Sequence, residues 1–315
     1  MSIKFAAELP SRVPASVYVY RLAAPRVTPR GVARVSERFG LTGKAPDFGL
    51  SEDWTSYLEG RYRISVHRVS GALSYQHRDK YGMETREAFT LSDRDATRLA
   101  LSFLKRTAVI PLKEAVFHKV THLRSGTGDV RGGPREEKLL DAGVIYRRTV
   151  DGIPVEGPGG FAMVNIDPEQ EVVGLRAVWR PVQKRLAKVK LISPDEAMSA
   201  IRELTARLYG DTTVTQATFG YFEQGELDRQ VHLQPAYCFV YEVRNGDVTH
   251  KSIEVIGAGE RSFAPLKGEK RFPAPPQPRR KVPAPRRESE IQSLADTLTM
   301  STGRPDRKRR PVTAG

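Results

Sequence analysis

Three stretches of the chain repeat apolar residues at three- and four-residue steps, and the segments between them alternate apolar with polar. In "TPRGVARVSERFG", Val32, Val35 and Phe39 share one side of a helix. Thr28 is placed to cap it, Pro29 to open it and Gly40 to end it. "TLSDRDATRLALSFLKRTAVI" is the longest such stretch. Ser92 precedes an acidic first turn (Asp93, Asp95), and Ala96, Leu99, Ala100, Phe103 and Leu104 form one apolar stripe. In "ISPDEAMSAIRELTARLYG", Ser193 caps, Pro194 takes the first position, and Asp195 and Glu196 favour the helix dipole. Ala197, Ile201, Leu204 and Leu208 make its expected buried stripe.

The alternating segments predict strands. "SVYVYRL" (16–22) is one, and "YRISVHRVSGALSYQHRD" reads as two with a turn near Ser70-Gly71. "EAVFHKVTHLRS" and "GVIYRRTV" follow the second helix, separated by the polar, Gly-rich "GTGDVRGGPREEK" (126–138). After the third helix come "TQATFGYFEQ", "LQPAYCFVYEVRNG" and "THKSIEVIGAG", with hairpin-type loops at Gly225 and at Asn245-Gly246-Asp247. The order of a helix followed by antiparallel strands occurs three times. It predicts an α+β fold of repeated units, each a helix packed on a curled antiparallel sheet. The expected organisation is a flexible N-terminus (1–15), an α+β region (16–125), a second α+β region (139–263) and a tail (264–315).

Composition changes the picture for the tail. The 315 residues carry a formal net charge of +14. From Ala264 onward there are 13 Lys/Arg and 5 Asp/Glu, so the last 52 residues hold +8 of that charge. "PAPPQPRRKVPAPRR" spaces prolines every few residues, which blocks helix and ladder alike and favours extended, disordered chain. One segment inside it, "ESEIQSLADTLTM" (288–300), aligns Ile291, Leu294 and Leu298 on one side of a short helix. A helix of that length is marginal alone in water, which suits a segment that folds on a partner. It is flanked by Arg279-Arg280-Lys281, Arg286-Arg287 and Arg307-Lys308-Arg309-Arg310, clusters able to contact an acidic protein surface or phosphates. The tail has no interleaved aromatics for stacking on bases, with Phe272 standing alone. Pro275-x-x-Pro278-x-Arg280 also fits a generic proline-rich ligand.

"YRRTVDGIPVEGPGGFAMVNIDPEQEVVGLRAVWRPV" resembles the FTP/PepSY segments in the propeptides of thermolysin-like metallopeptidases. The residues that carry the likeness are Asp151-Gly152-Ile153-Pro154-Val155, the strand from Phe161 to Ile166, Asp167, and the strand from Val172 to Val178. The helix "ISPDEAMSAIREL" and the strand "HLQPAYCFVYEV" resemble the opening and closing parts of such units, so the likeness spans about 144–260. The helix-plus-sheet plan is also similar to extracellular regulators of a bacterial cell-wall sensor kinase. The resemblance implies a PepSY/cystatin-like fold and a non-catalytic domain that binds or restrains another protein.

The candidate chemistry is sparse. Gly157-Pro158-Gly159-Gly160 has no Lys-Ser/Thr after it and precedes a strand, so it reads as a hairpin connection rather than a phosphate cradle. Glu114, His118 and His122 have metal-like spacing for a helix. On the strand predicted there, however, they spread over about 27 Å at ~3.4 Å per residue. No Gly-x-Ser-x-Gly or His-Glu-x-x-His occurs, and Glu136-Glu137 and Asp93/Asp95 lie in a loop and a helix start. Cys238 is the lone cysteine, so it forms no intramolecular disulfide, and its alternating neighbours predict burial. No run approaches the roughly 20 apolar residues that span a bilayer. Taken as a complete chain, the sequence reads as a soluble cytoplasmic protein that is not an enzyme, with no cofactor, no metal and no membrane contact. Its expected function is a protein-binding scaffold or regulatory factor with a docking tail; the alternative is a nucleic-acid-associated protein using that tail.

Overall fold

The computed structural model describes residues 3–43, 47–83, 89–127, 136–206, 208 and 210–266. The three helices begin at their expected caps. In α1 (Pro29–Glu37) the Thr28 hydroxyl accepts from Gly31 N at 3.1 Å. In α2 (Asp93–Thr107) Ser92 accepts from Asp95 N at 3.1 Å, and Ala108 ends the helix in the left-handed region. In α3 (Pro194–Thr205) Ser193 and Glu196 cap each other reciprocally. Such pairings satisfy amides that have no partner within the helix.

The strands are β1 (Ile3–Phe5), β2 (Ser16–Leu22), β3 (Asp47–Leu50), β4 (Trp54–Glu59), β5 (Tyr62–His67) and β6 (Leu73–His77). After α2 come β7 (Ala115–Thr127), β8 (Glu136–Val150), β9 (Ile153–Glu156), β10 (Phe161–Ile166), β11 (Val172–Val178) and β12 (Val182–Lys190). After α3 come β13 (Asp211–Phe222), β14 (His232–Asn245) and β15 (Val248–Gly257). All fifteen strands among the described residues belong to one hydrogen-bonded network, whose main path runs β12-β2-β14-β13-β9-β8-β10-β11-β6-β5-β4-β3. β1, β15 and β7 add to β13, β14 and β8 respectively, and the pairs of β13 with β1 and β9 are parallel.

This pairing overturns the expected fold of repeated helix-plus-curled-sheet units. Each helix packs on strands that follow it, α1 on β4 and β5, α2 on β8, β10, β11 and β7, and α3 on β14 and β15, but the strands do not close into separate units. β6 takes β11 as its neighbour, with Leu73 opposite Ala177 and Tyr75 opposite Leu175. β2 lies between β12 and β14. The reason is that α1 and α2 share one core. Val32, Ala100, Phe103 and Leu104 pack on Ile64, Tyr75, Val144, Val164 and Leu175, drawn from both halves of the chain. α1 covers β4 and β5, α2 covers β11, β10, β8 and β7, and the pairing of β6 with β11 makes these one continuous surface. The N-terminus also takes part, since β1 pairs with β13 and Phe5 packs near α3.

The second half of the sheet carries α3 on one face, where Ala197 and Ile201 meet Val214, Tyr237, Phe239 and Tyr241. Leu204, expected in that stripe, is exposed, and Thr205 is buried instead. No helix among the described residues is long and apolar enough to cross a membrane.

Candidate functional site

Strand alternation leaves the face of β13–β15 opposite α3 to Gln216, Thr218, Phe222, Cys238, Val240, Ile253 and Val255. Register puts Cys238 opposite Val255 and Val240 opposite Ile253. A wall stands over this face, made of Arg147 near the end of β8, Glu156 at the end of β9, and Gly157 and Pro158 after it. Between wall and sheet is a cavity of about 290 Å³ with mainly apolar lining.

The wall exists because of the glycine loop. β8 turns back at Asp151-Gly152, both at positive φ, and β9 returns along it with Thr149 opposite Pro154. Further along the same returning strand, Phe161 stands opposite Arg147. Residues 155–160 therefore oppose Arg148 alone. Gly157–Gly160 is not a hairpin, as the sequence suggested, but a wide bulge that lets β9 lean over to β13 while β10 stays with β8. Its amides are spent within the protein: Gly159 N donates to Glu223 O and Gly160 N to Val178 O, each at 2.9 Å. A Cβ on Gly159 would overlap the Gln224 carbonyl oxygen, and one on Gly160 would lie 2.6 Å from Val155 Cγ1. The Arg147 guanidinium fastens the bulge from the other side, donating to the carbonyls of Val155, Gly157 and Gly159 at 3.0–3.2 Å.

Behind the bulge lies a buried ionic clasp. Arg148 donates to Glu114 Oε2 at 2.9 Å and to Glu223 Oε2 at 3.0 Å, and its guanidinium stacks 5.4 Å from the Trp179 ring. Glu223, 0% exposed, also accepts from the Arg180 backbone amide at 2.8 Å. Arg180 in turn donates to the carbonyls of Gln224, Gly225 and Asp228. The clasp joins β8, the β11–β12 link and the end of β13, and so holds the cavity wall at a fixed height.

Burial sets the electrostatics of the cavity. Burial pushes the Glu156 carboxyl above the ordinary range, against the opposing pull of Arg147 and a hydrogen bond with Thr218. Burial pushes the Cys238 thiol up to about 12, so it stays protonated and unreactive at neutral pH. The arrangement offers apolar walls with two polar groups at one end, a pattern suited to gripping a side chain or small ligand.

The sequence candidates fall elsewhere. Glu114 is committed to Arg148, and His122 Nε2 faces Asp93 Oδ1 at 3.2 Å. A bulge between Phe117 and Lys119 takes His118 out of the alternation, so these three do not meet. Ile291, Leu294, Leu298 and the basic clusters Arg279-Arg280-Lys281 and Arg307-Lys308-Arg309-Arg310 lie outside the described residues. The sequence reading missed Arg147 and Glu156. The one local sign of the cavity floor is the unbroken apolar run through Cys238, longer than a strand with one wet face requires.

No family model matches the chain, and no curated protein matches it. The structure is similar to the crystal structure of an uncharacterised protein from Eubacterium rectale, with a TM-score of 0.55 at 12% identity. The match covers 84% of this chain and 91% of the other. At that identity the likeness concerns the fold alone.

Proposed function

We propose that this chain is a non-catalytic protein-binding factor whose body receives an extended segment of its partner beside β15. The observation that carries this reading is the position of Ile253. It is half-exposed, lines the cavity and sits on a strand whose only sheet neighbour among the described residues is β14. A peptide strand added to that edge would direct every second side chain to the cavity face. Main-chain hydrogen bonds would supply affinity, and the cavity with Arg147 and Glu156 would supply selectivity. The edge at β12 is less suited, because Lys184, Arg185, Lys188 and Lys190 crowd it with charge.

The tail completes the proposal. Ile291, Leu294 and Leu298 form a second, weaker contact on the same partner, and two contacts on one chain raise avidity. The PepSY/FTP-like segment fits a role in restraining another protein. The test is affinity recovery from native lysate with nuclease treatment. The full chain recovers one protein that survives nuclease. Val240→Trp with Ile253→Arg lowers recovery at least tenfold at unchanged circular dichroism, and Leu294→Asp with Leu298→Asp lowers it further. Equal recovery by both double variants overturns the reading, and recovery that vanishes with nuclease favours nucleic-acid binding by the basic tail.

A further inference from the structure

We propose that Asp141, Asn165 and Asp167 hold a hard divalent cation, with Ca²⁺ the best fit, on the face of the first half-sheet turned away from α2.

The register brings the three together. Ile166 pairs with Ala142, so the next residue, Asp167, stands beside Asp141 across the strands. Asn165 stands opposite Gly143, which has no side chain to hold it upright, and leans towards the pair, its Nδ2 donating to Asp141 Oδ1 at 3.2 Å. All three side chains are buried, at 2%, 6% and 1% exposure for Asp141, Asn165 and Asp167. Each keeps one oxygen that accepts no hydrogen bond: Asp141 Oδ2, Asn165 Oδ1 and Asp167 Oδ2. The amide oxygen of Asn165 is the independent sign, because it is not part of any acidic cluster and is carried on the very group that reaches for Asp141.

Two facing buried carboxyls with only a shared lysine for counter-charge are costly, and a cation or a shared proton relieves them. The charges nearby are unbalanced. Lys80 Nζ contacts Glu169 and Glu171 at 2.6 Å each, which leaves it 3.5 Å from Asp167 Oδ2. One ammonium thus serves three carboxylates, and Asp141 has no ion pair with it. His122, near enough to Asp141 to influence it, is turned to Asp93. The charged and titratable groups facing the site are therefore Lys80, Glu169, Glu171, His122, Tyr81 and, beside Tyr81, Arg176, which pairs with Glu226 at 2.6 Å. An all-oxygen set of two carboxylates and an amide matches Ca²⁺, which accepts irregular geometry and fills its remaining positions with water; Mg²⁺ demands a stricter octahedron.

Tyr81 supplies the assay. Its ring lies against Gly174, where a Cβ would overlap it, and it senses the Asp141 charge. Full-length protein stripped with chelator and titrated with Tb³⁺ should show tyrosine-sensitised emission that Ca²⁺ displaces. Tyr81→Phe should lose most of the sensitised signal while calorimetric Ca²⁺ binding persists. Asp141→Asn should weaken Ca²⁺ at least tenfold, and Ca²⁺ should raise the thermal midpoint of the wild type but not of this variant. Glu169→Gln with Glu171→Gln should weaken binding only a few-fold. Absence of Ca²⁺-displaceable emission at millimolar Ca²⁺ overturns the proposal and leaves a proton between the carboxyls. Binding that survives Asp141→Asn but not the double glutamine variant also overturns it, by assigning the ion to the outer carboxylates.

Discussion

Gly159 and Glu223 do more for the candidate site than the side chains that line it, because they set where the wall stands. Gly159→Ala should destabilise the protein by about 1–3 kcal/mol, read from denaturant or thermal unfolding, since its new methyl group meets the Gln224 carbonyl oxygen and the side chain of Glu223, which the clasp holds in place. Glu223→Ala should cost about 3–5 kcal/mol, because Arg148 and Arg180 would be left buried with their shared acceptor gone. Glu156 makes a prediction with the opposite sense. Its folded carboxyl titrates above the ordinary value of 4.5, so near and above that value the folded state binds more protons than the unfolded chain. Its contribution is fully present at pH below about 4.5 and is lost as pH rises through the folded value. Glu156→Gln should therefore stabilise the protein at pH 7–8 and leave it nearly unchanged at pH 4, as thermal midpoints across that range would show.

Among the elements, helices were legible and strand partners were not. Thr28, Ser92 and Ser193 announce helix starts because capping is local chemistry within four residues. Alternation in "SVYVYRL" or "LSYQH" fixes which face of a strand is apolar, but it is silent on which strand lies alongside. The pairing of β6 with β11 sets Leu73 beside Ala177, a contact between residues too far apart for any window of sequence to contain. Leu204 shows the reverse case, an apolar stripe residue left exposed while Thr205 turns its hydroxyl to Ile201 O at 2.8 Å and is buried. The cavity was illegible for a related reason. Its residues come from β8, the bulge after β9, β13, β14 and β15, and none of these segments carries a motif by itself. Beyond residue 266 the tail, with its prolines and basic clusters, lies outside the described residues.

At the scale of the molecule, β8 and β9 tie the two half-sheets into one body. Fragments divided in the Gly-rich stretch near residue 130 should therefore not fold separately. Neither should give dispersed amide spectra alone, and mixing them should restore at least part of the native spectrum. The placement of β2 has a further consequence, one of timing. It is made at residues 16–22, yet its neighbours are β12 and β14, the second beginning at His232. At roughly 5–20 residues per second, a strand rich in Val and Tyr waits on the order of 10–40 s for its second partner. During synthesis this protein is a chain with its second strand unclaimed. It therefore depends on whatever shelters nascent apolar segments in a way that a fold built from successive closed units would not.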